Sequence, residues 1–387
     1  VRTVKRRLTL LTEIIAPYRI PVFNALAARD NIDLHVIFLS ETDPSLRQWQ
    51  VYKSEIRFSY EILVSFRRRM DKYNLLINRG VGSALTRSQP DVILCGGYNY
   101  LASWQAARWA NRRHLPVVLW SESTANDFRR NRLAMELMKS RFLRSCRAFV
   151  VAGQSSHEYL IRLGATADKI FTAPNAVDVN FFATHAAQAR LRAPQVRARC
   201  GLPPRYFLYA GRLVPQKGVF DLMTAYAKLE QHHRSQIGLV FVGDGVSRLQ
   251  LAERAGSVQP GQVHFCGFLQ REQLAEIYAL ADAFVFPTHS DPWGLVVNEA
   301  MACGLPIIAS SVAGCVPDLV KHAENGLVVS PGDVDELVAA MRIIFDDSCM
   351  LKKFAAASAS RIQAYTPAAC AEGFARAVEF VCGSPHN

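Results

Sequence analysis

Two cations stand in the stretch Gly211-Arg212-Leu213-Val214-Pro215-Gln216-Lys217-Gly218, directly after the apolar run Tyr206–Ala210 and before an amphipathic stretch at 219–229. A guanidinium grips a phosphate through paired N–H bonds, and an ammonium acts on it as a point charge. Glycines on either side let the backbone approach such a ligand closely. The competing reading is a solvated loop with two surface cations. A second loop follows the run Ala283–Phe286 and reads Pro287-Thr288-His289-Ser290-Asp291-Pro292-Trp293-Gly294-Leu295-Val296-Val297-Asn298-Glu299. Pro292 drives Asp291 towards extended backbone. A helix starting near Gly294 then offers unpaired backbone N–H groups that suit an anion. Asp291 and Glu299 are eight positions apart, which on a helix is at most about 12 Å. That spacing suits two carboxylates gripping hydroxyls of one elongated ligand with a diphosphate between them, and it does not define a hydrolytic pair. The alternatives are a helix-surface acid for Glu299 and a helix cap for Asp291.

Two more glycine loops, Gly243-Asp244-Gly245 and Gly267-Phe268, also follow apolar runs. The first lacks the third glycine and the acidic partner of a dinucleotide fingerprint. Asp333-Val334-Asp335 resembles a metal motif, but it precedes an amphipathic stretch at 336–345, and helix capping accounts for it. No P-loop lysine, metalloprotease helix or serine elbow occurs. The nine cysteines form no Cys-x-x-Cys pair, which argues against a disulfide framework and a zinc ribbon and for reduced thiols.

These loops need elements to hold them. Short apolar runs recur at 8–14, 33–39, 91–95, 116–120, Ala148–Val151 and 169–172, then at Tyr206–Ala210, Gly238–Val242, 263–266, Ala283–Phe286, 306–310 and 327–329. Helical patterns separate them, as parallel sheets covered on both faces require. Two such series predict an α/β protein with two doubly wound, Rossmann-like domains, at 1–185 and 200–365, and a terminal helix with tail at 366–387. The strand pattern lapses at 180–204, and 367–381 reads as a helix after the last unit. Ligands of open parallel sheets bind beyond the strands' carboxyl ends, where the four loops lie.

In these motifs the chain resembles the retaining glycosyltransferases of family four, the two-Rossmann-domain type called GT-B. The family's Glu-x7-Glu signature appears as Asp291-x7-Glu299, and Gly211-Arg212-Leu213 with Lys217-Gly218 matches its phosphate loop. Pro174-Asn175-Ala176-Val177-Asp178, Ala313-Gly314-Cys315-Val316-Pro317-Asp318 and Glu324-Asn325-Gly326-Leu327 match further family segments. The resemblance is strong over about 170–345 and architectural before it. It implies two domains facing across a cleft, with the last helix crossing back to the first domain. It also implies a nucleotide-diphosphate sugar as donor. Arg212, Lys217 and Asp291 are then the catalytic set, the first two on the diphosphate and Asp291 on the donor sugar. Glu299 takes the ribose hydroxyls. Gly211 and Gly243 belong to the donor loops, Gly267 and Phe268 flank the base, and Gly294, Leu295 and Val296 supply backbone N–H groups. Asp291 has one methylene fewer than the family's glutamate. The first-domain histidine of many members has no counterpart in Trp120-Ser121-Glu122-Ser123, which leaves Glu122 as the candidate there. Pro17, Tyr18 and Arg19 are expected to line the acceptor side. No cofactor and no metal is implied, and front-face attack with retention needs no protein nucleophile.

Charge is divided unevenly. Residues 1–180 hold 27 Lys/Arg against 15 Asp/Glu, and 181–387 hold 18 of each, so the net +12 lies in the first half. That asymmetry predicts an acidic partner. Residues 67–72 and 129–147 concentrate the positive charge, the latter interleaving it with apolar residues, as suits an anionic membrane surface and a lipid-linked or saccharide acceptor. The alternative for 129–147 is an ordinary helix with a buried apolar face. No run approaches the roughly 20 apolar residues of a transmembrane helix. The start of the chain lacks a signal-peptide pattern, since the apolar run after Arg6 and Arg7 is broken at Thr12 and Glu13. A cytoplasmic protein, peripheral on the inner face of the cytoplasmic membrane, is the resulting expectation. The rival enzyme is a non-hydrolysing nucleotide-sugar 2-epimerase of GT-B fold. A nucleic-acid binder is disfavoured, because no binding module or stacking platform accompanies the basic half.

Overall fold

The computed structural model describes residues 5–43, 48–70, 73–126 and 132–383. The chain divides into two compact units, one holding residues up to Val177 together with the segment from Pro367, the other mainly Asp178–Thr366. In the first unit the strands are β1 (Arg6–Thr12), β2 (Ile32–Phe38), β3 (Ser59–Ile62), β4 (Ser65–Met70), β5 (Tyr73–Asn78), β6 (Val92–Gly96), β7 (Val117–Ser121), β8 (Ala148–Val151) and β9 (Ile170–Thr172). Seven of them form a parallel sheet in the order β3-β2-β1-β6-β7-β8-β9, and β4 pairs with β5 as a separate antiparallel ribbon. The second unit contributes β10 (Tyr206–Ala210), β11 (Gly238–Val242), β12 (Val263–Gly267), β13 (Ala283–Phe286), β14 (Ile307–Ser310) and β15 (Gly326–Val329). These lie in the order β12-β11-β10-β13-β14-β15, again all parallel. Both sheets are therefore doubly wound, with strand order reversing beside β1 and beside β10.

Alternate residues of each strand feed opposite faces. In the first sheet Leu10 and Leu94 join one core, and Leu11, Ile93 and Cys95 the other. The first of these cores is closed by Phe23 and Leu26 of the helix Ile20–Ala27 and by the helix Pro367–Gly383. Phe374 of that last helix meets Trp120 edge-on at 5.1 Å. The last helix is thus a covering layer of the first unit. In the second unit Phe207, Tyr209, Phe241 and Val285 pack against Leu222 and Tyr226 of the helix Val219–Lys228 and Met341 of Val334–Asp346. Asp333 caps Val334–Asp346, accepting from the N–H groups of Asp335 and Glu336.

Two regions hold elements that the apolar pattern of the sequence does not announce. The stretch 180–204 is occupied by the helices Val179–Leu191 and Ala193–Cys200, both in the second unit. The second is β3 with the ribbon β4–β5, where the usual polarity is inverted. Arg67 faces inward and is neutralised by Asp43 at 2.6 Å and Glu13 at 3.1 Å. Val64, Phe66, Leu75 and Ile77 are exposed instead, with Phe66 opposite Ile77. A strand that buries a cation and exposes its apolar residues gives no alternation to read.

Candidate functional site

The loops after β10, β11 and β12 interlock through their backbones. Gly211 N–H donates to Val242 O and Leu213 N–H to Asp244 O, while Gly243 N–H donates to Gly267 O at 2.7 Å. Gly211, Gly243 and Gly267 are brought together at the carboxyl ends of neighbouring strands, and Phe268 beside them is 39% exposed. The loop after β13 closes on the same group. His289 N–H and the fully buried Thr288 hydroxyl both donate to Gln216 O. This contact is so close that a Cβ on Gly218 would stand 1.9 Å from Pro287 O, and Gly218 has φ +67° besides. Only glycine fits there.

Lys217 is held in place at this junction. Its Nζ donates to Asp291 Oδ2 at 2.6 Å and to Ser290 O at 3.0 Å. An ammonium has three N–H bonds, so one remains to donate to a ligand. Asp291 is anchored at both oxygens, since Oδ1 accepts from Trp293 N–H. It is a positioning group for Lys217 as well as a candidate sugar contact. Its backbone is extended, bridging in parallel to Ala313, and the helix cap falls to Gly294 instead. Arg212 is exposed and makes no ion pair among the described residues, while the Tyr209 hydroxyl donates to its carbonyl.

The helix Leu295–Ala302 starts directly after Gly294, whose φ of +98° and tight packing on Phe286 exclude a side chain. The N–H groups of Leu295 and Val296 at the start of the helix have no intrahelical acceptor, while that of Val297 donates to Gly294 O. Trp293 is buried and donates from Nε1 to Asn298 Oδ1 at 2.8 Å, which locks the turn to the helix. Glu299 lies one turn inside and accepts from the Tyr278 hydroxyl at 3.0 Å. Burial pushes its carboxyl up to about 7, although the Tyr278 hydrogen bond works in the other direction. Thr288, Tyr278 and Asn298 carried no signal in the sequence; each acts through a partner found only after folding.

The residues expected on the acceptor side form a cluster within the first unit. Pro17 opens a short turn that places Tyr18 edge-on to Trp49 at 5.8 Å. Arg19 is buried, its guanidinium over the Trp120 ring at 4.3 Å. It donates to Asn175 Oδ1 and pairs with Glu122. Burial opposes its charge, but the Glu122 carboxylate outweighs that and raises the Arg19 pKa. The structure thus joins Arg19, Glu122 and Asn175, and Glu122 remains half-exposed. Within the other basic segment, Lys139 is buried and donates to the Tyr159 hydroxyl at 2.8 Å, and Phe142 and Leu143 enter the core. Those three are therefore not available to a membrane, whereas Leu137, Arg141, Arg144 and Arg147 are exposed. Lys72, Arg129 and Arg130 lie outside the described residues.

Two family models match, Glycosyltransferase Family 4 over residues 23–181 and Glycosyl transferases group 1 over residues 198–361. The chain belongs to glycosyltransferase family four. Proteins similar to it include the glycogen synthase of Mycobacterium tuberculosis, 34% identical over 167 residues, which is 43% of this chain and 39% of that one. The O-antigen chain mannosyltransferase B of Escherichia coli is 31% identical over 221 residues, 55% of this chain and 56% of the other. The chain thus aligns with about half or less of these relatives' lengths. A crystal structure of Anabaena HepE in complex with UDP superposes with a TM-score of 0.77 at 18% identity, covering 97% of this chain and 100% of that one. That likeness establishes the GT-B fold.

Proposed function

We propose that this family-four chain is a retaining glycosyltransferase that moves a sugar from a nucleotide-diphosphate donor to a lipid-linked or polysaccharide acceptor without a metal. The observation that carries the reading is the fixed ammonium of Lys217, with one N–H to spare, in the same loop as exposed Arg212 and tied to the turn that opens the helix Leu295–Ala302. During transfer the bond from the sugar's anomeric carbon to the diphosphate breaks, and the acceptor oxygen bonds to that carbon from the same face. The leaving phosphate takes the acceptor's proton. Negative charge therefore grows on the diphosphate, where two cations and a helix N-terminus stabilise it. Each preorganised contact of this kind is worth about 3 kcal/mol. Glu299 takes the ribose hydroxyls, and Gly267 and Phe268 flank the base. HepE crystallised with UDP supports a nucleoside diphosphate as the leaving group.

The acceptor side is assigned to the first unit, docked on an anionic membrane. The exposed Val64, Phe66, Leu75 and Ile77 of the ribbon, beside exposed Arg68 and Arg79, support this. Apolar side chains enter the headgroup region while arginines meet lipid phosphates. Among the described residues no helix is long and apolar enough to cross a membrane.

The test is a transfer assay with nucleotide sugars and saccharide or polyprenyl-diphosphate acceptors, run in EDTA, with the product's anomeric configuration read by NMR. The reading expects acceptor-dependent release of nucleoside diphosphate, retention, and full activity in chelator. Loss of activity restored by magnesium or manganese would overturn the metal-free mechanism. A C2-inverted nucleotide sugar formed without acceptor would identify an epimerase.

A further inference from the structure

We infer that the second unit carries a binding site for a borderline divalent cation such as Zn²⁺, formed by Glu230, His232 and His233 and separate from the donor loops. Among the described residues these three place one ligand atom each within 4.8 Å of one another. Glu230 Oε2 lies 3.3 Å from His233 Nδ1 and 3.6 Å from His232 Nδ1. In a tetrahedral zinc site with bonds near 2.0–2.1 Å, adjacent ligand atoms are separated by about 3.3 Å. The two Glu230 distances are close to this value, and the exposed His232 side chain is free to rotate to complete the set.

His233 supplies a second, independent observation. It is 2% exposed, and its buried Nδ1 makes no hydrogen bond, its near neighbour being the Glu230 Oε2 at 3.3 Å. A buried ring nitrogen left this way is costly. Nε2 lies 3.1 Å from Asp346 Oδ1, and a carboxylate only accepts, so Nε2 donates there and the neutral ring offers its lone pair at Nδ1. A carboxylate behind a ligating histidine is the usual support of a metal-bound imidazole. The ring is also fixed by Phe345, edge-on at 4.9 Å, and by His232, whose ring centroid is 3.7 Å away. Arg342 pairs with Glu230 Oε1 at 3.4 Å, which leaves Oε2 directed at the two imidazoles.

Two neutral imidazoles and a carboxylate select Zn²⁺, Ni²⁺ or Cu²⁺ over Mg²⁺ or Ca²⁺. The three ligands precede β11, whose other end leads into Gly243 of the donor loops. A five-residue strand separates the two places, roughly 16 Å at strand rise. The cation therefore braces the turn at Glu230, with Asp346 of the helix Val334–Asp346 supporting the His233 ring from behind, and it takes no part in transfer.

Titration of the full chain with ZnSO₄, followed by calorimetry and thermal melting, tests this. The wild type should bind one zinc per chain and melt at higher temperature with it. Co²⁺ should give the visible absorption of a tetrahedral N/O site. His232→Ala and Glu230→Gln, both at exposed positions, should lose that binding while melting like the wild type without zinc. Asp346→Asn should weaken zinc about tenfold to a hundredfold by releasing the His233 ring. Addition of zinc or EDTA should leave nucleotide affinity unchanged. Zinc binding equal in wild type and His232→Ala, or no binding by the wild type, would overturn the site.

Discussion

Glu299 shows what a single residue imposes on this site. Its carboxyl is pushed from 4.5 up to about 7 by burial, against the Tyr278 hydrogen bond. Ribose hydroxyls donate to an ionised carboxylate, so nucleotide binding selects the charged form. Affinity should be flat above pH 7 and fall below it, approaching tenfold per pH unit. Glu299→Gln should abolish this dependence and bind more weakly at pH 8. The stability sign is opposite. The folded chain holds a proton that the unfolded chain releases near 4.5, so this group's contribution falls as pH rises from there through 7. Glu299→Gln should consequently melt at or above the wild-type temperature at pH 8. Nucleotide titrations and melts at several pH values check both; a pH-independent wild type would contradict the ribose assignment. The positions of Arg212, Lys217 and Asp291 were legible because each lies in a loop after an uninterrupted apolar strand, and that of Glu299 because it sits one turn into the helix that follows such a loop. Their partners were not. Tyr278 reaches Glu299 across 21 positions, and Arg19 finds Glu122 across 103, and neither spacing has a period to detect.

At the scale of elements, parallel strands buried on both faces announce themselves as continuous apolar runs, and Tyr206–Ala210 or Ala283–Phe286 needed no further signal. The ribbon stayed hidden because Arg67, paired with two acids, shares the inward face with buried Leu76, while Phe66, Leu75 and Ile77 face outward. The last helix was visible by period, but its seat depends on close approach. A Cβ on Gly373 would stand 2.3 Å from Thr172 O and 2.7 Å from Ala173 Cβ. Alanine gains about 1 kcal/mol of helix propensity over glycine. Overpacking against β9 costs about 1–3 kcal/mol, occasionally more, and here the obstacle is backbone that cannot rotate away. Gly373→Ala should therefore lower stability by about 1–2 kcal/mol in denaturant titration. Gly256→Ala, with open space around it, should be neutral or mildly stabilising. Equal stability of the two variants would show that the last helix is not seated so tightly.

At the scale of the whole molecule, the net +12 belongs to residues 1–180, and the rest is balanced. The structure sorts these charges. Arg19, Arg67 and Lys139 are consumed inside the first unit, while Arg68, Arg79, Arg141, Arg144 and Arg147 are exposed. Each arginine near an anionic surface contributes about 1 kcal/mol, screened as the Debye length drops from about 10 Å at 0.1 M salt to 3 Å at 1 M. In flotation, the chain should bind vesicles containing anionic lipid and release them in high salt. Arg68→Ser should reduce the salt-sensitive part, and Phe66→Ser should weaken binding at every salt concentration. Equal binding to neutral vesicles, or none to either kind, would assign the basic half another role. The donor claim is more central, and calorimetric titration with UDP and GDP tests it most directly. The wild type should bind one nucleoside diphosphate per chain, and Arg212→Ala combined with Lys217→Ala should weaken that binding at least a hundredfold while the fold persists. Undiminished binding by the double variant, or no binding of any nucleoside diphosphate by the wild type, would contradict the account.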